Sequence, residues 1–333
     1  MANEPPRFRP RPYPPPEFPP RRLPLFARMP PAVFPAILGL IGLGLALRRA
    51  LIELGGPVDP ANAILGAMTG LWAFAAVGYA VKLARRPGVL AEDLRILPGR
   101  AGLAAATMGL MAVAAALAPM APAVARVVLV AGLVLHAGVA LAILAVFRAG
   151  PPEMRQVTPV WHLSFVGFIV GGLAAPALGW PVLAQALVIV TGALALAIWA
   201  LSARQFARMA PPAPLRPLLA IHVAPAALLS QVSFNLGWTA LAYGFAAGAL
   251  VLAVVLAASV RWLTAAGFSA LWGAFTFPMT ALAAALIALG GGAMIPGLVA
   301  LGVALVAVPW IGYRVLKSWA GGNLAQKTNA ATA

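Results

Sequence analysis

The chain has 333 residues, 62% of them hydrophobic and only 9% charged, with 23 Lys and Arg against 7 Asp and Glu for a net charge of +16. Together with a mean hydropathy of +0.95, this excludes an ordinary soluble domain and indicates an all-α polytopic membrane protein. The absence of cysteine excludes disulfides, thiolate metal sites, iron–sulfur clusters and a cysteine nucleophile.

Residues 1–29 interleave Pro5, Pro6, Pro10, Pro12, Pro14 to Pro16, Pro19 and Pro20 with arginine. Such a segment cannot build a core and reads as a disordered or polyproline-like tail in solvent. It contains no short apolar run of the kind a signal peptide needs. Residues 30–318 form one membrane domain, and 319–333, ending in LAQKTNAATA, read as a flexible tail.

A helix crosses the hydrocarbon core with about 20 apolar residues. Charges, prolines and glycines mark off ten such spans, at 31–47, 61–82, 101–118, 123–147, 158–178, 182–202, 215–234, 238–260, 267–289 and 295–316, the third being among the short ones. The odd members start 52 to 70 residues apart, so the chain reads as five helical hairpins in series.

Proline separates the two sets. The first span holds Phe34-Pro35, the fifth Pro159, the seventh Pro225 and the ninth Pro278, whereas the second, fourth, sixth and eighth have none in their interiors. Proline removes a backbone hydrogen bond and kinks a helix, which a membrane tolerates where neighbouring helices or water satisfy the freed carbonyl. The odd helices are therefore expected to form an inner layer facing a polar path, and the even ones an outer layer facing lipid. The pairs Gly167/Gly171 and Gly244/Gly248 suit close helix packing.

Lys and Arg concentrate on the cytoplasmic side of membrane proteins. With ten spans and both termini inside, 20 of the 23 basic residues fall on that side, and only Arg48, Arg49 and Arg126 fall on the other. Removing one span would destroy this segregation. The positive charge is thus a topology signal, and no nucleic-acid partner is expected.

All seven acidic residues occur by Glu153, and none lies inside a span. Cation pores and many proton- or sodium-coupled transporters use carboxylates at membrane depth. A path of hydroxyls, imidazoles, small residues and helix-end dipoles would instead be neutral to mildly positive and suit an anion. His136, alone on the fourth span, is expected to be structural and bonded to a nearby carbonyl. His162 and His222, each three residues from a proline near the cytoplasmic ends of their spans, are candidates for lining a vestibule. Two histidines without a third ligand make a poor metal site. No Ser-His-Asp set, HExxH, glycine-rich phosphate loop or carboxylate pair is present, so neither enzymatic activity nor a cofactor is expected.

The stretch WGAFTFPMTALAAAL at 272–286, with Phe-Thr-Phe-Pro-Met at 275–279, resembles the ninth helix of the tellurite-resistance/dicarboxylate transporter family, which includes bacterial TehA and the plant slow-type anion channels. PLRPLLAIHVAPAALL resembles its seventh helix and VTPVWHLSFVGFIVGG its fifth, and span number, order and proline placement match over about 30–320. The resemblance implies five hairpins in quasi-five-fold order around a central pore, one pore per subunit, commonly in a homotrimer of a bacterial inner membrane. It implies an anion channel passing small monovalent anions such as chloride or nitrate, or a secondary transporter of dicarboxylate, sulfite or tellurite-type oxyanions.

The family's pore is closed by an aromatic on the ninth helix, and the matching residue is Phe277. By side-chain chemistry alone, Phe277 could equally pack between helices. Phe34 and Phe275 are the alternative plugs, and Thr276 and Thr280 are further candidates for the lining. Two residues apart on a helix, Phe275 and Phe277 point about 200° from each other, so at most one can face the axis. Plant members carry two tryptophans before the motif, whereas Trp272 is followed here by Gly273, and their long regulatory termini have no counterpart. Kinase control of the plant type is not expected.

Overall fold

In the computed structural model, residues 23–333 are described; most of the expected proline-rich tail, 1–22, lies outside them. The described residues are helical and contain no strand. Nine helices among them are long and apolar enough to cross a membrane: Pro31–Glu53, Asp59–Arg85, Leu97–Leu117, Pro122–Ala149, Pro181–Arg208, Ala213–Asn235, Thr239–Ala258, Ala270–Leu289 and Gly291–Ala320. They occupy the positions of nine of the ten expected spans.

The fifth span departs from a regular helix. It is one π turn at His162–Val166 followed by 3-10 turns at Gly167–Leu173. The glycines explain why such a backbone is tolerated. A Cβ on Gly167 would stand 2.8 Å from the His136 ring, and one on Gly172 would stand 2.9 Å from the methyls of Val232. Neighbouring helices therefore close over this segment, and its irregular backbone is buried in protein, away from lipid. Gly244 and Gly248, by contrast, have open space above them, so only the Gly167/Gly171 pair packs within this chain.

Burial separates odd from even. In the first, third, seventh and ninth spans, 72–78% of the most apolar window is buried, against 17–28% in the even-numbered spans. The fifth joins the buried set through Val166, Ile169 and Val170. First packs on third, third on fifth, fifth on seventh, seventh on ninth and ninth on first, which closes a ring. The second, fourth, sixth and eighth spans each lie on the two inner spans that flank them in sequence, and the tenth lies on the ninth and the first. Small residues bring the closest pair together, since Gly39 and Gly42 of the first span lie directly on Thr276 and Phe277 of the ninth.

Both expected tails pack where they are described. Phe26 meets Phe74 edge-on at 5.6 Å, and the Met29 carbonyl accepts a hydrogen bond from Lys82 Nζ at 3.0 Å. At the other end, Asn323–Lys327 is a short helix with Leu324 buried. Ala331 N donates to Asp93 Oδ1 at 2.8 Å and Ala333 N to the Ala27 carbonyl at 2.9 Å. The expectation of a flexible 319–333 segment is corrected by these contacts. Their anchor is the fully buried Lys82–Asp93 ion pair at 2.7 Å, which also takes the Tyr79 hydroxyl. Leaving such a pair half-satisfied would be costly, so the chain ends are held over it.

Candidate functional site

Each inner span begins at the end of the bundle where most arginines lie, and all but the ninth carry a proline at or near that start. Pro35 and Pro98 occupy the first turns of their α-helices, where a missing N–H is unpaired in any case. Pro159 lies in the turn before the π turn of the fifth span. Pro225 follows the junction where 3-10 backbone, Ala213–His222, becomes α-helix. Among the inner spans only Pro278 stands deep inside an α-helix, Gly273–Leu289, where it deprives the Ala274 carbonyl of its usual donor; Pro309 likewise stands inside the outer tenth span. The mid-span kinks expected at Pro35, Pro159 and Pro225 are thus helix starts, because 3-10 and turn backbone precede α-helix at this end. Pro98 extends the pattern to the third span, whose start the hydropathy reading placed too late.

Between these starts lies a cavity of about 20 Å³ to which all five inner spans contribute. Ala32 and Pro35 line it from the first, Pro98 and Ala101 from the third, Leu163 from the fifth, Leu218 and Ile221 from the seventh, and Ala270, Leu271 and Ala274 from the ninth. The lining side chains are all apolar. A space of this size holds about one water molecule, and no side chain in its wall would replace an ion's hydration shell.

Phe277 stands three residues beyond Ala274, about 4.5 Å deeper along the helix and about 60° from lying directly above it. It is 5% exposed. Its ring edge lies against Gly42, so that a Cβ there would come within 2.9 Å of Cδ2. Phe275 points elsewhere, as the 200° separation requires: it meets Trp272 edge-on at 5.7 Å and lines a groove on the outer side of the helix. Phe34 is fully buried in the core.

Thr276 and Thr280 turn toward the first span. Thr276 Oγ1 lies 3.0 Å from the Pro35 carbonyl and 2.7 Å from that of Gly273, and Thr280 Oγ1 donates to the Phe277 carbonyl at 2.9 Å. Both are completely buried, with Gly39 and Gly42 against their side chains. Their hydroxyls are engaged by backbone and hold two inner spans together, which corrects the expectation that they line a path.

The structure brings His162 and His222 together. Separated by 60 residues, they share a hydrogen bond of 3.0 Å between Nε2 and Nδ1, joining the fifth span to the seventh. Trp199 Nε1 donates to the His222 carbonyl, while His162 Nδ1 is buried without a partner. Their sequence neighbours Leu163 and Ile221 line the apolar cavity. Two imidazoles this close cannot both be cations without strong repulsion, so the pair holds at most one added proton. His136 pairs through Nδ1 with the Thr107 hydroxyl at 2.7 Å, not with a carbonyl as expected.

Two residues passed over in the sequence lie on the same inner layer. Ser230 and Ser233 of the seventh span are fully buried, and their hydroxyls have no protein partner among the described residues. The legible signal was a Ser-x-x-Ser spacing on a largely apolar helix, which puts both near one face.

At the opposite end, the three arginines that broke the charge segregation each hold inner-helix C-termini. Arg48 donates to the Ala116 carbonyl at 2.7 Å and that of Ala115 at 2.9 Å; Arg49 donates to Ala288 at 3.3 Å and Arg126 to Leu178 at 3.3 Å. The last carbonyls of a helix lack intrahelical donors and carry partial negative charge, so cations are stabilising there. No group of three or more His, Cys, Asp or Glu able to hold a metal occurs among the described residues.

The voltage-dependent anion channel (SLAC1) family model matches residues 28–314. No curated protein matches the chain. The match spans all five inner spans and ends within the last outer one, so the chain belongs to the SLAC1 family of anion channels and transporters, the same family as TehA, and the helices described above are those of a multi-pass membrane protein of that family.

Proposed function

We propose that this protein is an anion channel in which ten spans, paired as five hairpins in quasi-five-fold order, surround a central path closed by Phe277. The observation that carries the reading is the apolar cavity to which every inner span contributes, with Phe277 one turn deeper on the helix that supplies Ala274. A ring at that depth, above a space for one water, is a dry constriction that an ion crosses only by losing hydration. The charge balance supports an anion: no carboxylate lies within the spans except at the terminal residues Glu53 and Asp59. Ser230 and Ser233 are candidates to offer hydroxyl donors once the path is wet.

The proposed substrates are small monovalent anions such as chloride and nitrate. The setting is a bacterial inner membrane, with both termini cytoplasmic and three copies per assembly. Basic residues at the Pro-initiated end support that orientation. Ion-substitution electrophysiology on the reconstituted protein tests the reading. Reversal potentials should follow the chloride or nitrate gradient and ignore sodium and potassium, and a potential that tracks the cation would overturn it.

One observation favours a second reading, a coupled transporter of dicarboxylate, sulfite or tellurite-type oxyanions. The His162–His222 pair could carry a proton beside the cavity wall. Saturable flux that requires a pH gradient, and loses that requirement in His222→Asn, would select it over the channel.

A further inference from the structure

On the outer side of the ninth span, the eighth and tenth stand apart and leave an apolar groove of about 730 Å³. Phe275, Pro278 and Met279 form part of its floor, and Val254 and Val303 face each other across it on the eighth and tenth spans. Along the tenth span the lining runs from Ile295 to Ile311, a rise of about 24 Å, which exceeds the half-thickness of a hydrocarbon core of about 30 Å. The groove therefore accommodates an acyl chain along its full leaflet depth.

The rim at the arginine-rich end is what selects the occupant. Arg314 lies 4.3 Å from the Phe268 ring centroid and 5.2 Å from that of Trp310, and Trp310 also lines the groove. Arg216 lies 4.2 Å over Trp262, and Arg261 precedes that tryptophan in the short helix Val260–Leu263, whose two end residues line the groove. Among the described residues, none of these three arginines has a carboxylate partner. Stacking on Phe268 and Trp310 fixes the Arg314 guanidinium while leaving its donor edge available to an anion, whereas Arg216 already donates to the Pro211 and Trp262 carbonyls. A second copy of this chain, parallel in the same bilayer, has little to answer that charge: at this end its described carboxylates are the buried Asp93, Glu92, already paired with Arg86, and Glu153.

We infer that the groove is a binding site for an anionic phospholipid, with an acyl chain against the outer face of the ninth span and the headgroup phosphate on Arg314 and Arg261. The bound chain lies against Phe275 and Pro278, which stand on either side of Phe277 in the sequence. If the pore reading holds, lipid occupancy biases the closure; the binding itself does not depend on that reading.

The test uses full-length protein in nanodiscs, with acyl-brominated lipid as quencher of Trp272 and Trp310. Brominated phosphatidylglycerol should quench at a lower mole fraction than brominated phosphatidylcholine, by about five-fold for each arginine engaged. Arg261→Gln/Arg314→Gln should abolish that preference while leaving zwitterionic quenching intact. Val303→Phe, which fills the groove without touching the rim, should weaken quenching by both lipids. Equal quenching by the two headgroups in the wild type would overturn the assignment. So would a disulfide between copies of a Val303→Cys variant, in a chain that has no other cysteine, since it would place a second subunit in the groove. Conductance measured in the same nanodiscs separates failure of the lipid site from failure of the pore reading.

Discussion

Phe277→Ala distinguishes a plug from a core side chain because the two roles move different observables. As a plug, the ring is the barrier. The ring is not in the wall of the cavity of about 20 Å³ but lies one turn deeper, so its removal opens the path beyond that cavity to several waters and a permeating anion keeps part of its shell. Relief of about 3 kcal/mol in desolvation would raise current roughly 100-fold, since each 1.36 kcal/mol is a factor of ten in rate. As a core residue, the same truncation would cost about 3–5 kcal/mol of stability with no gain in current. The contact with Gly42 alone cannot separate these outcomes, because a plug must also rest against something when shut. The assay pairs single-channel recording in planar bilayers with thermal unfolding of the same preparation. A large current rise with little loss of stability is expected, and Phe277→Leu should fall between wild type and alanine. An unchanged current in a well-folded but destabilised variant would refute the gate.

Three further outcomes are expected. Arg48→Ala leaves the Ala115 and Ala116 carbonyls without their donors and should lower stability by about 1–3 kcal/mol, with Arg48→Lys recovering only part because an ammonium lacks the fork that spans both oxygens; thermal shift in detergent reads this. Gly39→Ala drives a methyl into the Thr276 side chain and should cost about 1–3 kcal/mol or more, seen as a lower midpoint or loss of the monodisperse peak in size exclusion, whereas Gly244→Ala, with open space above it, should be neutral. Asp93→Asn leaves Lys82 buried without its counter-charge and should cost about 3–5 kcal/mol, accompanied by faster proteolysis of the C-terminal segment that Asp93 holds.

The reading of the ninth span shows how far a helix pattern carries. That Phe275 and Phe277 face opposite ways follows from 100° per residue and is legible in the sequence. Which of them faces inward is not, because the pattern around both is apolar. Thr276 and Thr280 looked like polar lining because a hydroxyl inside a membrane invites a polar surface; the structure engages them with backbone carbonyls at Pro35, Gly273 and Phe277, where local bonds compete for hydroxyls. The His162–His222 pair was legible as two similar positions on two similar spans. Their meeting was not, since it depends on the π turn and 3-10 backbone of the fifth span and on the seventh packing beside it.

Transfer energy is a property of each residue, additive along a window, so hydropathy and basic residues by themselves determined that the chain is polytopic and that nine spans begin and end close to where they are found. Proline placement was a weaker guide, since the outer tenth span holds Pro309 in its interior and Pro35, Pro159 and Pro225 stand at the starts of their segments. Azimuth and partnership are pairwise properties of elements distant in sequence, and these only the tertiary structure decided. It assigned Arg48, Arg49 and Arg126 to the C-termini of inner helices, set the chain's last residues on Asp93, and left a groove between two outer spans that no periodicity in either one announces.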